Sequence, residues 1–195
     1  MKQRIKEIIS ESISTKQRIL SDTQLLETIE NITSVIINAF QSGNKVLFCG
    51  NGGSAADAQH LAAEFSGRFY TDREPLPSEA LHCNTSFLTA VANDYSYDVV
   101  YSRLVRGTGK PGDVLIGLST SGNSTNIVKA LEQAKIQGMI TIAFTGSTGG
   151  KMKNICDHLI NIPSNDTPRI QESHITVGHI VCELVEQGIF KTDKP

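Results

Sequence analysis

Apolar positions in the first 43 residues recur at helical spacing. Ile5, Ile9 and Ile13 repeat every four residues, with Leu20 further along the stripe, and Leu25, Ile29, Ile32, Ile36 and Phe40 form a second stripe. Two helices are therefore predicted, with Ser21 and Asp22 as caps between them and Gly43 as the stop. An apolar stripe ahead of the first strand has to be buried somewhere. The direct expectation is that it packs on its own domain; the alternative is a partner subunit.

From Lys45 the pattern changes. Short apolar runs at Val46–Cys49, Ala80–Cys83, Val114–Leu118, Ile140–Phe144 and His158–Ile162 read as strands, most of them compact enough to be buried on both faces. Helical segments lie between them near Ala55–Ser66, Phe87–Ala92, Val99–Arg106 and Thr125–Gln137, and a helix from about Arg169 to Phe190 follows. Strands alternating with helices predict an α/β fold with a parallel sheet covered on both faces. Ligands of such sheets sit beyond the carboxyl ends of the strands, which directs attention to the loops there.

Two of those loops carry chemistry. Gly50-Asn51-Gly52-Gly53-Ser54 follows the first strand and opens a helix, whose free N–H groups favour an anion or a polar ligand. It matches neither the dinucleotide fingerprint nor a P-loop, and a plain glycine-rich turn is the competing reading. Ser119-Thr120-Ser121-Gly122-Asn123-Ser124-Thr125 follows the third strand, with five hydroxyls in seven residues. One helix cap needs one hydroxyl; five at a helix N-terminus can hold a phosphate without a lysine. Together the loops suggest one small phosphorylated polar ligand.

Two helices add possible metal ligands. His60 and Glu64 are four apart and share a face, as do Gln171, Ile175 and His179. Two imidazoles, a carboxylate and an amide oxygen suit zinc, and ligand type also admits manganese, iron or nickel. A lone His–Glu pair at this spacing is ordinarily a helix-surface contact, and spacing alone does not bring the two helices together. His82 and His158 lie in strand-like runs and read as structural, His174 as a reserve ligand, and Asp57 as a first-turn carboxylate.

Composition narrows the class. The 195 residues fit one domain, 39% hydrophobic and 19% charged residues suit a packed core, and a net charge of −2 argues against a nucleic-acid partner. No apolar run approaches a membrane span, the N-terminus lacks an export signal, and the four scattered cysteines form no CxxC pair, so a cytoplasmic protein with no membrane partner is expected.

Gly50–Ser54, Asp57-Ala58-Gln59-His60 with Glu64, Asn93-Asp94, Ser119–Ser124 and Arg169-Ile170-Gln171-Glu172 with His179 together resemble the sugar isomerase (SIS) domain family and, more narrowly, its phosphoheptose isomerase branch. The resemblance covers nearly the whole chain. It implies a three-layer α/β sandwich with a five-stranded parallel sheet, one SIS domain over residues 1–195 in which residues 1–43 serve packing and oligomerisation, and a homotetramer with sites near subunit interfaces. Substrate contacts are implied for Asn51, Gly52, Gly53, Ser54, Glu64, Asn93, Asp94, Ser119, Thr120, Ser121, Ser124 and Gln171. One Zn²⁺ per subunit is implied on His60, Glu64, Gln171 and His179. The implied reaction converts sedoheptulose 7-phosphate to D-glycero-D-manno-heptose 7-phosphate through an enediol, with Glu64 as base and His179 as acid. The residues Met1–Ile13 and Ser54–His60 also resemble a SIS protein that binds the bacterial replication initiator. That non-catalytic reading, or a sugar-phosphate sensor, is the alternative, and the presence of both Glu64 and His179 favours the isomerase.

Overall fold

The computed structural model describes residues 1–191. Helices α1 (Lys2–Ser21) and α2 (Thr23–Gln41) precede β1 (Val46–Cys49). Then follow α3 (Gly53–Ser66), β2 (Ser78–Ala80), α4 (Thr85–Asp94), a 3-10 turn (Tyr97–Val99) and α5 (Val100–Thr108). The rest is β3 (Val114–Leu118), α6 (Thr125–Ile136), β4 (Ile140–Thr145), a 3-10 turn (Met152–Asn154), β5 (His158–Asn161) and α7 (Thr167–Phe190). All five strands are parallel, in the order β2-β1-β3-β4-β5.

The alternation of side chains along each strand sorts the core into two halves. Val46, Phe48, Val114, Ile116, Leu118, Ile142 and Phe144 face α2, α3 and α7. Leu47, Cys49, Leu115 and Ala143 face the other way, toward Tyr101 and Val105 of α5 and Ile127, Leu131 and Ala134 of α6. Both faces of the sheet are thus covered, and the result is the three-layer α/β arrangement with a five-stranded parallel sheet.

Three expectations shift. β2 ends at Ala80 rather than Cys83: it is an edge strand that pairs only with β1, Phe48 against Ala80, after which the Leu81 amide bonds the Phe48 carbonyl and the chain turns. Its first residues, Ser78 and Glu79, are polar, so the apolar run marks the end of the strand and the turn instead of the strand itself. Between the first two helices the cap is Asp22, whose carboxylate accepts the Leu25 amide at 3.0 Å; Ser21 is the last residue of α1. The third shift is larger. The α1 stripe does not pack on its own domain: Ile5, Ile9 and Ile13 are 50%, 54% and 52% exposed. α1 instead turns Ser12, Thr15, Lys16 and Ile19 inward. Ser12 donates to Glu172 at 2.8 Å, and Arg169 reaches the Ile8 carbonyl at 2.8 Å. These polar contacts fix the rotation of α1 and leave its isoleucines facing solvent.

Candidate active site and metal cluster

β1 and β3 are parallel neighbours at the point where the order of strand addition switches sides, β2 lying on one side of β1 and β3 on the other, so the glycine loop after β1 and the serine loop after β3 lie side by side. They are tied together. Asn51 Nδ2 donates to Asn126 Oδ1, and Asn126 Nδ2 donates back to Asn51 Oδ1, both at 2.9 Å. The Tyr97 hydroxyl donates to the same Asn51 oxygen at 3.2 Å, and the buried Tyr101 hydroxyl donates to the Gly50 carbonyl at 2.6 Å. The Asn51 amide is therefore held by the protein, Gly52 and Gly53 form the exposed part of the loop, and Ser54 is buried in the first turn of α3. Asn93 and Asp94 close α4 just before the Tyr97 turn; both are exposed and joined side chain to side chain at 3.0 Å.

The serine loop draws three hydroxyls together. Ser119 Oγ lies 2.9 Å from Ser124 Oγ and 3.4 Å from Ser121 Oγ. Ser124 is the N-cap residue of α6, yet its side chain does not cap; it turns toward Ser119. The cluster thus sits at the positive end of a helix dipole. Its shape depends on Gly122, at φ +65°, where a Cβ would come 2.3 Å from the Gly149 carbonyl oxygen. Asn123 braces the turn by donating to the Ser121 carbonyl and accepting from the Lys151 amide, at 2.9 and 3.0 Å. Thr120, half-buried, borders a polar cavity of about 270 Å³ that continues to Ser147, Asn165 and Thr167.

α3 and α7 bring His60, Glu64 and His179 together within a single chain. His60 Nε2 stands 3.0 Å from Glu64 Oε1 and 3.4 Å from His179 Nε2, and the three ligand atoms lie within 4.8 Å of one another. A tetrahedral zinc with bonds of about 2.0–2.1 Å has ligand atoms about 3.3 Å apart, so the donor set and its spacing fit that ion. Burial, with the neighbouring His60, lowers the proton affinity of His179 against the pull of Glu64, which favours the neutral imidazole that coordination needs. Gln171 is placed differently. Its amide nitrogen lies against Gly53, where a Cβ would come within 2.6 Å, so the missing side chain at Gly53 makes room for it. Asp57 shares this side of α3. Because the helix starts at Gly53, Asp57 is in its second turn rather than its first, and one of its oxygens is buried without a hydrogen bond. Burial raises its pKa, against the attraction of His60.

The remaining histidines are structural. His174 is fully buried, edge-on to Phe144, with Nε2 3.1 Å from the Thr145 carbonyl, so it is no reserve ligand. His82 lies in the turn after β2 with Nε2 3.3 Å from Gln59 Oε1, and His158 opens β5. Asn126, Tyr97 and Tyr101, which lock the glycine loop, escaped the sequence reading. An asparagine inside a helix and two tyrosines in a polar turn carry no periodic signal.

Comparison with known proteins follows the same lines. The SIS domain family model matches residues 10–146. The chain is 56% identical over 187 residues to the phosphoheptose isomerase of Aneurinibacillus thermoaerophilus, covering 96% of this chain and 94% of that one. It is 54% identical over 190 residues to the phosphoheptose isomerase of Clostridium acetobutylicum, covering 97% of each. Among solved structures it superposes on a phosphoheptose isomerase from Neisseria gonorrhoeae with a TM-score of 0.90 at 41% identity, over 95% of this chain and 98% of that one.

The burial of His174 has a pH signature. Desolvation, opposed by the Thr145 bond, lowers its pKa from 6.5 to about 4. Between those values the unfolded chain holds the extra proton and the folded chain does not. Stability present above pH 6.5 is therefore lost as the pH falls toward 4, by about 3 kcal/mol at roughly 1.4 kcal/mol per unit. Urea unfolding at pH 7 and pH 4.5 reads this out. His174→Gln keeps an N–H for the Thr145 carbonyl and should flatten the dependence; an unchanged slope in that variant would place the acid sensitivity elsewhere.

Proposed function

Because the chain belongs to the SIS domain family and to its phosphoheptose isomerases, we propose that it converts sedoheptulose 7-phosphate to D-glycero-D-manno-heptose 7-phosphate, an aldose–ketose isomerisation supplying heptose for nucleotide-sugar synthesis in the cytoplasm. The observation that carries the reading is the presence, in one chain, of a hydroxyl-lined helix N-terminus and a His60–Glu64–His179 cluster.

The phosphate is assigned to Ser119, Thr120, Ser121 and Ser124 at the start of α6. Anchored there, the sugar chain runs across Gly52 and Gly53 toward the cluster, with Asn93 and Asp94 at its side. Binding the far end positions the reacting carbons. Glu64 takes the proton from C1 while the C2 carbonyl oxygen receives one from His179, giving the enediol. C2 is then protonated and the O1 hydroxyl gives up its proton, leaving the C1 aldehyde. His60, Glu64 and His179 would hold zinc, with Gln171 as the fourth donor. Bound there, zinc would polarise the carbonyl and enediolate oxygens as a Lewis acid.

The exposed isoleucines of α1 are assigned to assembly. A stripe of Ile5, Ile9 and Ile13 half open to solvent leaves apolar area that a second copy of this chain can cover, each side chain contributing about half of the roughly 1.5–3 kcal/mol of full burial. A homotetramer with its sites near subunit interfaces is the assembly proposed.

Three measurements check these assignments. Purified protein given sedoheptulose 7-phosphate should produce the aldose, followed by NMR, and Glu64→Gln should slow turnover by about 10²–10⁴-fold with the fold intact; near-parental turnover would remove Glu64 as the base. Ser121→Ala with Ser124→Ala should weaken phosphosugar binding by at least about tenfold, as loss of hydrogen bonds to a charged group requires. Unchanged affinity by calorimetry would put the phosphate elsewhere. Ile9→Glu with Ile13→Glu should reduce the sedimenting mass of the assembly, and a parental sedimentation profile would show that α1 lies outside the interfaces.

A further inference from the structure

Behind the cluster lies a buried ion pair that makes no contact with the proposed substrate path. Arg73, in the loop after α3, and Glu186, on α7, are each about 3% exposed at the side chain, with Nε 3.0 Å from Oε2. The backbone hydrogen bonds of the pair go to the C-terminal end of α3, which carries His60 and Glu64, and to the loop that follows it. Arg73 Nη2 donates to the Glu64 carbonyl and Nη1 to the Phe65 carbonyl, both at 2.8 Å; Nη1 also reaches the carbonyls of Gly67 and Glu74 at 3.1 Å. The Glu64, Phe65 and Gly67 carbonyls lie at the C-terminal end of α3, where the guanidinium fork supplies donors that the ended helix lacks, and the Glu74 carbonyl belongs to the loop beyond. Glu186 in turn accepts the amides of Phe69, Tyr70 and Thr71, at 3.1, 3.0 and 3.0 Å. Burial alone would raise the Glu186 pKa, but the three amides and Arg73 outweigh it and hold the carboxyl below its usual range.

The consequences converge on the cluster. Glu64 has its carboxylate 3.0 Å from His60 and its own carbonyl in the grip of Arg73. Phe69, whose amide Glu186 holds, sets its ring 5.7 Å from that of His179. Glu186 itself lies seven residues, two helical turns, beyond His179 on α7. The pair therefore ties the end of α3 to α7 next to the point where the two helices supply ligands to one site. A buried ion pair is weak evidence for stability in itself, because well-packed apolar side chains serve as well. What apolar residues could not supply is seven directed bonds onto the backbone between Glu64 and Glu74.

We propose that Arg73 and Glu186 are positioning residues that hold Glu64 and His179 at ligand spacing, so that they set metal affinity and turnover rather than substrate binding. The inference rests on the reading of the cluster as a zinc site. Outer-shell groups that orient ligands are typically worth about 10–100-fold in metal affinity.

The test compares Glu186→Gln and Arg73→Lys with Asp113→Asn. Asp113 is a buried carboxylate ahead of β3 that binds Lys45, Asn44 and the Lys110 amide, away from the cluster, so its variant loses stability without touching the ligands. Zinc affinity is measured by chelator competition on folded protein, alongside kcat and KM. Zinc binding about tenfold or more weaker in Glu186→Gln or Arg73→Lys, with kcat lowered, KM near parental, and Asp113→Asn binding zinc like the parent, supports the proposal. Parental zinc affinity and kcat in both variants overturn it, and so does an equal loss of affinity in Asp113→Asn, which would mark a general effect of lost stability. If neither charge variant folds, Phe69→Leu decides, because it leaves the ion pair intact and removes the ring from His179. Weakened zinc affinity there supports the positioning role, and parental affinity overturns it. A parent that binds no zinc would instead overturn the metal reading on which this inference rests.

Discussion

How closely α7 approaches α3 governs the rest of the site. At Gly178 the two helices come so near that a Cβ would sit 2.5 Å from Leu61, whose side chain fills the space. His179 is the next residue, and His60 the one before Leu61, so this contact delivers both imidazoles to one point. The contact at Gly53 and Gln171 repeats the device near the other end of α3. Small residues at both crossing points let two helix backbones share one cluster of ligands; a larger side chain at Gly178 would press on the buried Leu61, and one at Gly53 would displace the Gln171 amide. The Arg73–Glu186 pair then closes the far end, where the last turn of α3 would otherwise fray.

A second constraint is the adjacency of β1 and β3. Strands about 4.8 Å apart put the loops that follow them within reach of one ligand. The reciprocal bonds between Asn51 and Asn126 make the two loops one surface. Rigidity of this kind would suit the proposed sugar-phosphate site, since ordering costs met during folding are not met again on binding.

Much of this was legible in the sequence where one element carries its own signal. β1, β3 and β4 stand out because strands buried on both faces are unbroken apolar runs, and the pairs His60/Glu64 and Gln171/His179 because helical spacing puts each on one face. The serine loop is conspicuous for having more hydroxyls than a cap can use, and the structure shows that Ser124 does not act as one. Pattern reading failed where the deciding partner is remote. The α1 isoleucines read as core by periodicity, but Ser12 and Thr15 face inward because Glu172 and Arg169 meet α1 from α7, about 160 residues away. Arg73 and Glu186 lie 113 positions apart in polar surroundings, and nothing local distinguishes them from surface charges. Gln171 shares a face with His179, and its amide is set against Gly53 at the start of α3, a contact that spacing along one helix does not reveal.

The division of charge along the site gives the proposed chemistry its direction. In the proposed mode, neutral hydroxyls and a helix terminus would meet the phosphate, whose charge is the same in the bound substrate and in the enediolate, so a strong cation there would favour both alike and leave the barrier unchanged. Negative charge would develop only at the other end, on the oxygens of C1 and C2, which the proposed mode sets against the carboxylate and two imidazoles of the cluster. Imidazoles must be neutral to coordinate, so the bare cluster carries the charge of Glu64 and would repel an enediolate. A divalent cation reverses that sign where the charge appears, and a preorganised opposite charge at the reacting oxygens is worth more than one at the anchor. The absence of lysine from the phosphate loop and the gathering of ligands on α3 and α7 are, on this account, two parts of one arrangement.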